Sequence, residues 1–171
     1  PVQEQALKKG FSRSLVVSAP TASGKTLVAE IATLQAIRKG KKAVYIVPLR
    51  ALAQEKYEEF SRKYVPLGIK VGISTGDLDS ADPWLARDDI IIVTSEKLDS
   101  LLRHGISWAS SIGLVIADEI HLLHDPDRGP TLEIVLTRLQ SFRPVVLGLS
   151  ATISNYQELA DWLGAETVAS D

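Results

Sequence analysis

Short apolar runs alternate with longer amphipathic ones along the chain. Six runs are compact and apolar: residues 14–18 (SLVVS), 43–47 (AVYIV), 70–74 (KVGIS), 90–93 (IIIV), 114–118 (LVIAD) and 145–149 (VVLGL). Such near-continuous apolarity belongs to strands buried on both faces, as in parallel sheets. Helical patterns fill the intervals at 24–38, 50–63, 95–103, 130–140 and 155–163. Parallel strands joined by helices of this length take right-handed crossovers. The pattern therefore predicts a doubly wound α/β domain, a mostly parallel sheet with helices on both faces. Ligands of such folds bind outside the carboxyl ends of the strands, and motifs are read by whether they fall there.

Composition narrows the class. A chain of 171 residues holds one domain with a proper core and leaves little for a second. With 45% hydrophobic and 23% charged residues it is an ordinary globular sequence. No apolar stretch is long enough to cross a membrane, and residues 1–10 are too polar for a signal peptide. The absence of cysteine excludes disulfides and thiolate metal sites, in keeping with an intracellular, cytoplasmic protein. There is no methionine, not even at position 1, which suggests a piece of a longer chain; a single asparagine points weakly to a thermophilic source. The net charge of −2 argues mildly against a nucleic-acid binder. It is unevenly spread: residues 1–70 carry 13 Lys and Arg against 5 Asp and Glu, the remainder 6 against 16.

Residues 14–38 read strand, loop, helix, and the loop "APTASGKT" fits a phosphate-binding pattern in which Ala19 replaces the usual first glycine. Ala19, Pro20, Thr21, Ala22, Ser23 and Gly24 would form the cradle, with Gly24 letting the backbone approach phosphate and the helix start offering free N–H groups. Lys25 would reach the β- and γ-phosphates of ATP, and the Thr26 hydroxyl would ligate Mg²⁺. The bland reading is a small-residue turn with a chance GKT.

The run "LVIADEIHLLHD" delivers two carboxylates to the end of a core strand. If strand 114–118 lies beside strand 14–18, Asp118 faces Lys25 and can hold Mg²⁺ through water. Glu119 can then orient and deprotonate the water that attacks the γ-phosphate. Alone, Asp118 and Glu119 would read as a helix cap and a first-turn dipole partner. The phosphate loop upstream favours the hydrolytic reading. His121 and His124 lack the companions that zinc would need.

These stretches, in this order, resemble the DExH-box helicases of superfamily 2. "PVQEQAL" is similar to the Q motif, "VPLRALAQEKYEEF" to motif Ia, "STGD" to the glycine-containing motif after it, "TSEKLDSLL" to motif Ib, "DEIH" to motif II and "LSAT" to motif III. Within that superfamily the chain resembles the Ski-like group, and above all the archaeal Hjm-type DNA repair helicases, through "GISTGDLDS", "ADEIHLL" and "RGPTLE". The resemblance implies the first RecA-like domain of a 3′–5′ helicase working on single-stranded and forked DNA at stalled replication. It implies that Gln3 reads adenine and that Lys25, Asp118, Glu119 and His121 serve ATP hydrolysis. Pro48, Arg50, Thr75, Gly76, Thr94 and Ser95 would touch strand phosphates without reading bases. Ser150 and Thr152 would couple the nucleotide to strand movement beside His121. It also implies a second RecA-like domain, which supplies an arginine finger worth about 10³ to 10⁵ in rate. Without it the chain is expected to bind nucleotide weakly, hydrolyse it slowly and not unwind.

Three other classes remain to be weighed. RNA helicases of the Ski-like group share much of the pattern. A nucleotide or small-molecule kinase would need an arginine-rich lid, for which the basic-poor second half offers little. A non-catalytic adaptor would not be expected to keep Lys25, Thr26, Asp118 and Glu119. GTPases and transport ATPases are disfavoured, since neither "NKxD" nor "LSGGQ" occurs. The three tryptophans, Trp84, Trp108 and Trp162, are expected to be packing residues.

Overall fold

The computed structural model describes residues 1–171 except Thr21, residues 77–79, Ile153 and Asp171. Seven strands form one all-parallel sheet: β1 Leu15–Ser18, β2 Lys42–Val47, β3 Val71–Ser74, β4 Ile90–Thr94, β5 Ile112–Ala117, β6 Val145–Ser150 and β7 Glu166–Ala169. Their lateral order is β3-β4-β2-β5-β6-β1-β7. Among the described residues there are six α-helices: α1 Val2–Lys9 precedes β1, and α2 Lys25–Arg38, α3 Arg50–Tyr64, α4 Ser95–Arg103, α5 Gly129–Gln140 and α6 Tyr156–Leu163 connect successive strands, with a 3-10 turn alone between β3 and β4. This is the RecA-like α/β arrangement that the strand–helix alternation implies.

Because strand side chains alternate between faces, β2, β4, β5 and β6 each feed two cores. Leu15, Val17, Ala43, Tyr45, Ile90, Ile92, Leu114 and Ile116 pack with α1, α2 and α3 on one side. Val44, Ile46, Ile91, Val93, Val115 and Ala117 pack with α4, α5 and α6 on the other. Burial on both faces explains why the runs in β1, β2, β4, β5 and β6 show no two-residue period, whereas burial alternates along edge strand β3.

One expectation is corrected. Strand 114–118 does not lie beside strand 14–18; β6 sits between them, with Leu15 opposite Leu147 and Leu114 opposite Val145. An apolar run signals a buried strand but carries nothing about its lateral neighbours. A specific fit accompanies the insertion: a Cβ at Gly148 of β6 would come within 2.7 Å of Ile120 Cδ1. The missing side chain leaves a hollow for Ile120, which is fully buried there. The turn after β5 is thereby seated over the carboxyl end of β6.

Two elements go beyond the apolar pattern. Helix α1 buries only Val2 and Ala6, and edge strand β7 only Val168. The tryptophans also divide: Trp108 is buried, whereas Trp84 and Trp162 are 55% and 40% exposed and do not belong to either core. No helix among the described residues is long and apolar enough to cross a membrane.

Candidate functional site

β1 ends at Ser18, and the chain turns through the loop into α2. The turn needs left-handed backbone at Ala22 (φ 64°) and at Gly24 (φ 87°), which caps α2 without any side-chain capping bond. The first N–H groups of α2 therefore remain open to an anion. The positive φ at Gly24 favours glycine, and a Cβ there would displace the Gln3 amide, which lies against it. Gln3 Nε2 donates to Ser23 O at 2.6 Å, tying α1 to the loop. Lys25 Nζ donates to Ala19 O at 2.6 Å and Pro20 O at 2.7 Å, curling back under the cradle. Ser23 Oγ is buried without a hydrogen-bond partner among the described residues. A buried donor left in that state is costly unless a ligand meets it, and phosphate oxygens are suitable acceptors. Thr21, the remaining cradle position, lies outside the described residues.

Across β6, Asp118 follows the last residue of β5, and its backbone N–H donates to Ile46 O at 3.0 Å. Ser150 at the end of β6 stands between the two sides, its carbonyl accepting from Ala19 N at 3.2 Å. Both motifs thus lie on one rim of the sheet, the carboxyl one. Asp118 Oδ1 accepts from Glu119 N at 3.0 Å and Oδ2 from Tyr45 Oη at 3.1 Å. Glu119 takes left-handed backbone, φ 53°, unusual for a residue with a Cβ, and makes no capping bond to the 3-10 turn that follows. Its side chain points instead toward His121, with Oε2 3.3 Å from Nδ1. The same nitrogen is 3.3 Å from Ser150 Oγ. His121, Glu119 and Ser150 therefore form one small polar group, with Ser150 fully buried. Thr152, two residues beyond Ser150, is exposed.

The donor set fits magnesium rather than a protein-enclosed metal. No group of three or more His, Cys, Asp or Glu able to hold a metal occurs among the described residues. Mg²⁺ usually takes one or two protein oxygens and completes its shell with phosphate and water, as Asp118 and Thr26 would allow.

The remaining candidates fall into two places. Pro48 and Ser95 line a small recess with Asp118 and Arg128 at the ends of β2 and β5. Arg50 is exposed at the first residue of α3, whose start has no side-chain cap. Thr75 and Gly76 line a separate groove with Gln54, Ser80, Asp82 and Trp84. Thr94 is buried and its hydroxyl accepts from Lys97 N at 3.4 Å, a capping role for α4. Ser95 is also buried. The "RGPTLE" stretch acquires a structural reason: a Cβ at Gly129 would lie 2.2 Å from Leu123 O, so glycine lets α5 start against the turn after β5. Sequence reasoning missed Tyr45, which reads as one more apolar strand residue.

Comparison with known proteins places the chain in a family. Residues 1–159 match the DEAD/DEAH box helicase family. The chain is 53% identical over 174 residues to the ATP-dependent DNA helicase Hel308 of Thermococcus kodakarensis, covering 100% of this chain and 15% of that protein. It is 51% identical to the protein of the same name from Methanocella arvoryzae and 52% to that from Pyrococcus abyssi, covering 24% of each. It thus spans between 15% and 24% of these relatives' length. With the family match running along nearly its whole length, the chain belongs to the DEAD/DEAH box helicases.

Proposed function

We propose that this chain is the first RecA-like motor domain of an ATP-dependent 3′–5′ DNA helicase acting at stalled or branched replication and recombination intermediates. The observation that carries the reading is the shared rim: Lys25 on one side of Ser150, Asp118 and Glu119 on the other. In this reading Lys25 exchanges the Ala19 and Pro20 carbonyls for β- and γ-phosphate oxygens. Ser23 and the open N–H groups of α2 complete the cradle, and Gln3 turns its remaining amide groups to the adenine edge. Thr26 and Asp118 would hold Mg²⁺, which would supply positive charge against the phosphoryl group being transferred. Glu119 orients the attacking water and takes its proton. His121 and Ser150 pass the difference between nucleotide states to the strand-binding side, with Thr152 nearby in sequence.

Arg50, the uncapped start of α3, Pro48, Thr75, Gly76, Thr94 and Ser95 form the strand-facing surface. Since Thr94 and Ser95 are buried, their contribution is through backbone N–H groups at the start of α4 rather than through hydroxyls. Contacts of this kind read no bases, and because backbone N–H groups at helix starts make most of them they need little net positive charge, which reconciles strand binding with a net charge of −2. The relatives are named as DNA helicases, which favours DNA over RNA. Neither they nor the family match support the kinase alternative. The test is unwinding by the complete protein on matched DNA and RNA forks with 3′ or 5′ tails. The reading expects 3′-tailed DNA forks to open and Glu119→Gln to abolish opening. Preference for RNA would replace the substrate assignment, and unimpaired unwinding by Glu119→Gln would remove Glu119 from the chemistry.

A further inference from the structure

Tyr45 has a fully buried ring in β2, beside β5, and its hydroxyl meets the carboxylate of Asp118. With Tyr45 on Oδ2 and the Glu119 N–H on Oδ1, each carboxylate oxygen has one protein partner. The group is held at both ends, and each oxygen retains a lone pair for a further donor such as a metal-bound water. The tyrosine ring is itself held. Phe60 of α3 meets it edge-on at 5.6 Å, and Tyr64 meets Phe60 at 5.4 Å. The Tyr64 hydroxyl bonds to Glu30 of α2. An unbroken line of side chains thus joins the helix that starts at Lys25, the helix that starts at Arg50 and the acidic rim. A phenylalanine would pack the same space without a polar atom to satisfy.

We propose that Tyr45 is a positioning residue for the metal site: its hydroxyl fixes the Asp118 carboxylate in the orientation that accepts magnesium-bound water. This rests on the reading of Asp118 as the metal-side carboxylate. Outer partners that orient a metal ligand contribute roughly ten- to hundredfold to affinity, and a water-mediated ligand belongs at the lower end. Tyr45 acts through Asp118, so its effect must vanish when that carboxylate is gone.

The test is a Mg²⁺ titration of fluorescent-ADP binding to the complete protein, with thermal unfolding recorded alongside. Tyr45→Phe should raise the half-saturating Mg²⁺ about tenfold while leaving metal-free ADP affinity unchanged. Asp118→Ala should raise it further, and adding Tyr45→Phe to Asp118→Ala should shift it no more. Phe60→Leu, which loosens the ring stack but keeps the hydroxyl, should lower thermal stability without altering the metal dependence. No shift in Tyr45→Phe alongside a shift in Asp118→Ala overturns the role of Tyr45 alone. An equal further shift on the Asp118→Ala background, or a matching shift in Phe60→Leu, would make Tyr45 a packing residue. No shift in Asp118→Ala would remove the reading on which the proposal stands.

Discussion

Lys97 of α4 is fully buried, and its ammonium lies 3.2 Å from Asp82 Oδ2 and 2.7 Å from Ser80 O. Asp82 also accepts from the Ser74 and Ser80 hydroxyls, so one buried network joins the end of β3, the segment after it and the start of α4. Lys97→Met keeps the length of the stem and removes the charge. Leaving a buried ion without its partner costs about 3–5 kcal/mol. The two serine hydroxyls still serve Asp82, which places the cost near the lower figure, about 3 kcal/mol. Against a typical total of about 5–15 kcal/mol this is a large fraction. At roughly 2–4 °C per kcal/mol for a chain of this size, the midpoint should fall by about 6–12 °C. Urea unfolding at pH 7 measures the free-energy loss and a thermal scan the midpoint, and Asp82→Asn added to Lys97→Met should restore much of the loss. Burial alone would raise the Asp82 carboxyl, but the two hydroxyls and Lys97 outweigh it and hold the pKa below the ordinary value. A depressed pKa contributes stability above the unfolded value that is lost as pH falls through the folded one. The gap between wild type and Lys97→Met should therefore close below about pH 4. A single-mutant cost under about 1 kcal/mol, the range of exposed pairs, would refute the reasoning, as would a double mutant no better than the single.

Gly24→Ala should weaken ADP binding at least tenfold by calorimetry, since left-handed backbone costs about 1–2 kcal/mol with a Cβ and the new atom would displace Gln3; unchanged affinity would remove Gln3 and Gly24 from the cradle. Gly129→Ala should destabilise by about 1–3 kcal/mol in urea, because its Cβ would collide with the Leu123 carbonyl. A neutral result there would mean that α5 can start elsewhere.

Much of the fold was legible because both-face burial makes each core strand an apolar run, and the helices between them are long. The rim itself was legible, since strand-end placement follows from the α/β rule without knowing the strand order. The order was not: the fit of Ile120 over Gly148 joins residues 28 apart and has no local signature. Helix α1 and strand β7 bury too few side chains to register as apolar patterns. Trp84 and Trp162 were misplaced because hydrophobicity ranks a side chain and says nothing of its exposure. Tyr45 stayed hidden for the opposite reason, being a core residue whose one polar atom finds its partner 73 positions away.

The account depends on Lys25 and the Asp118–Glu119 pair serving one nucleotide. ATP binding and turnover by Lys25→Ala and Glu119→Gln in the complete protein test this directly. Lys25→Ala should lose nucleotide affinity, while Glu119→Gln should bind ATP normally and fail to hydrolyse it. If both variants turned over ATP at the wild-type rate, the rim would not be the catalytic centre.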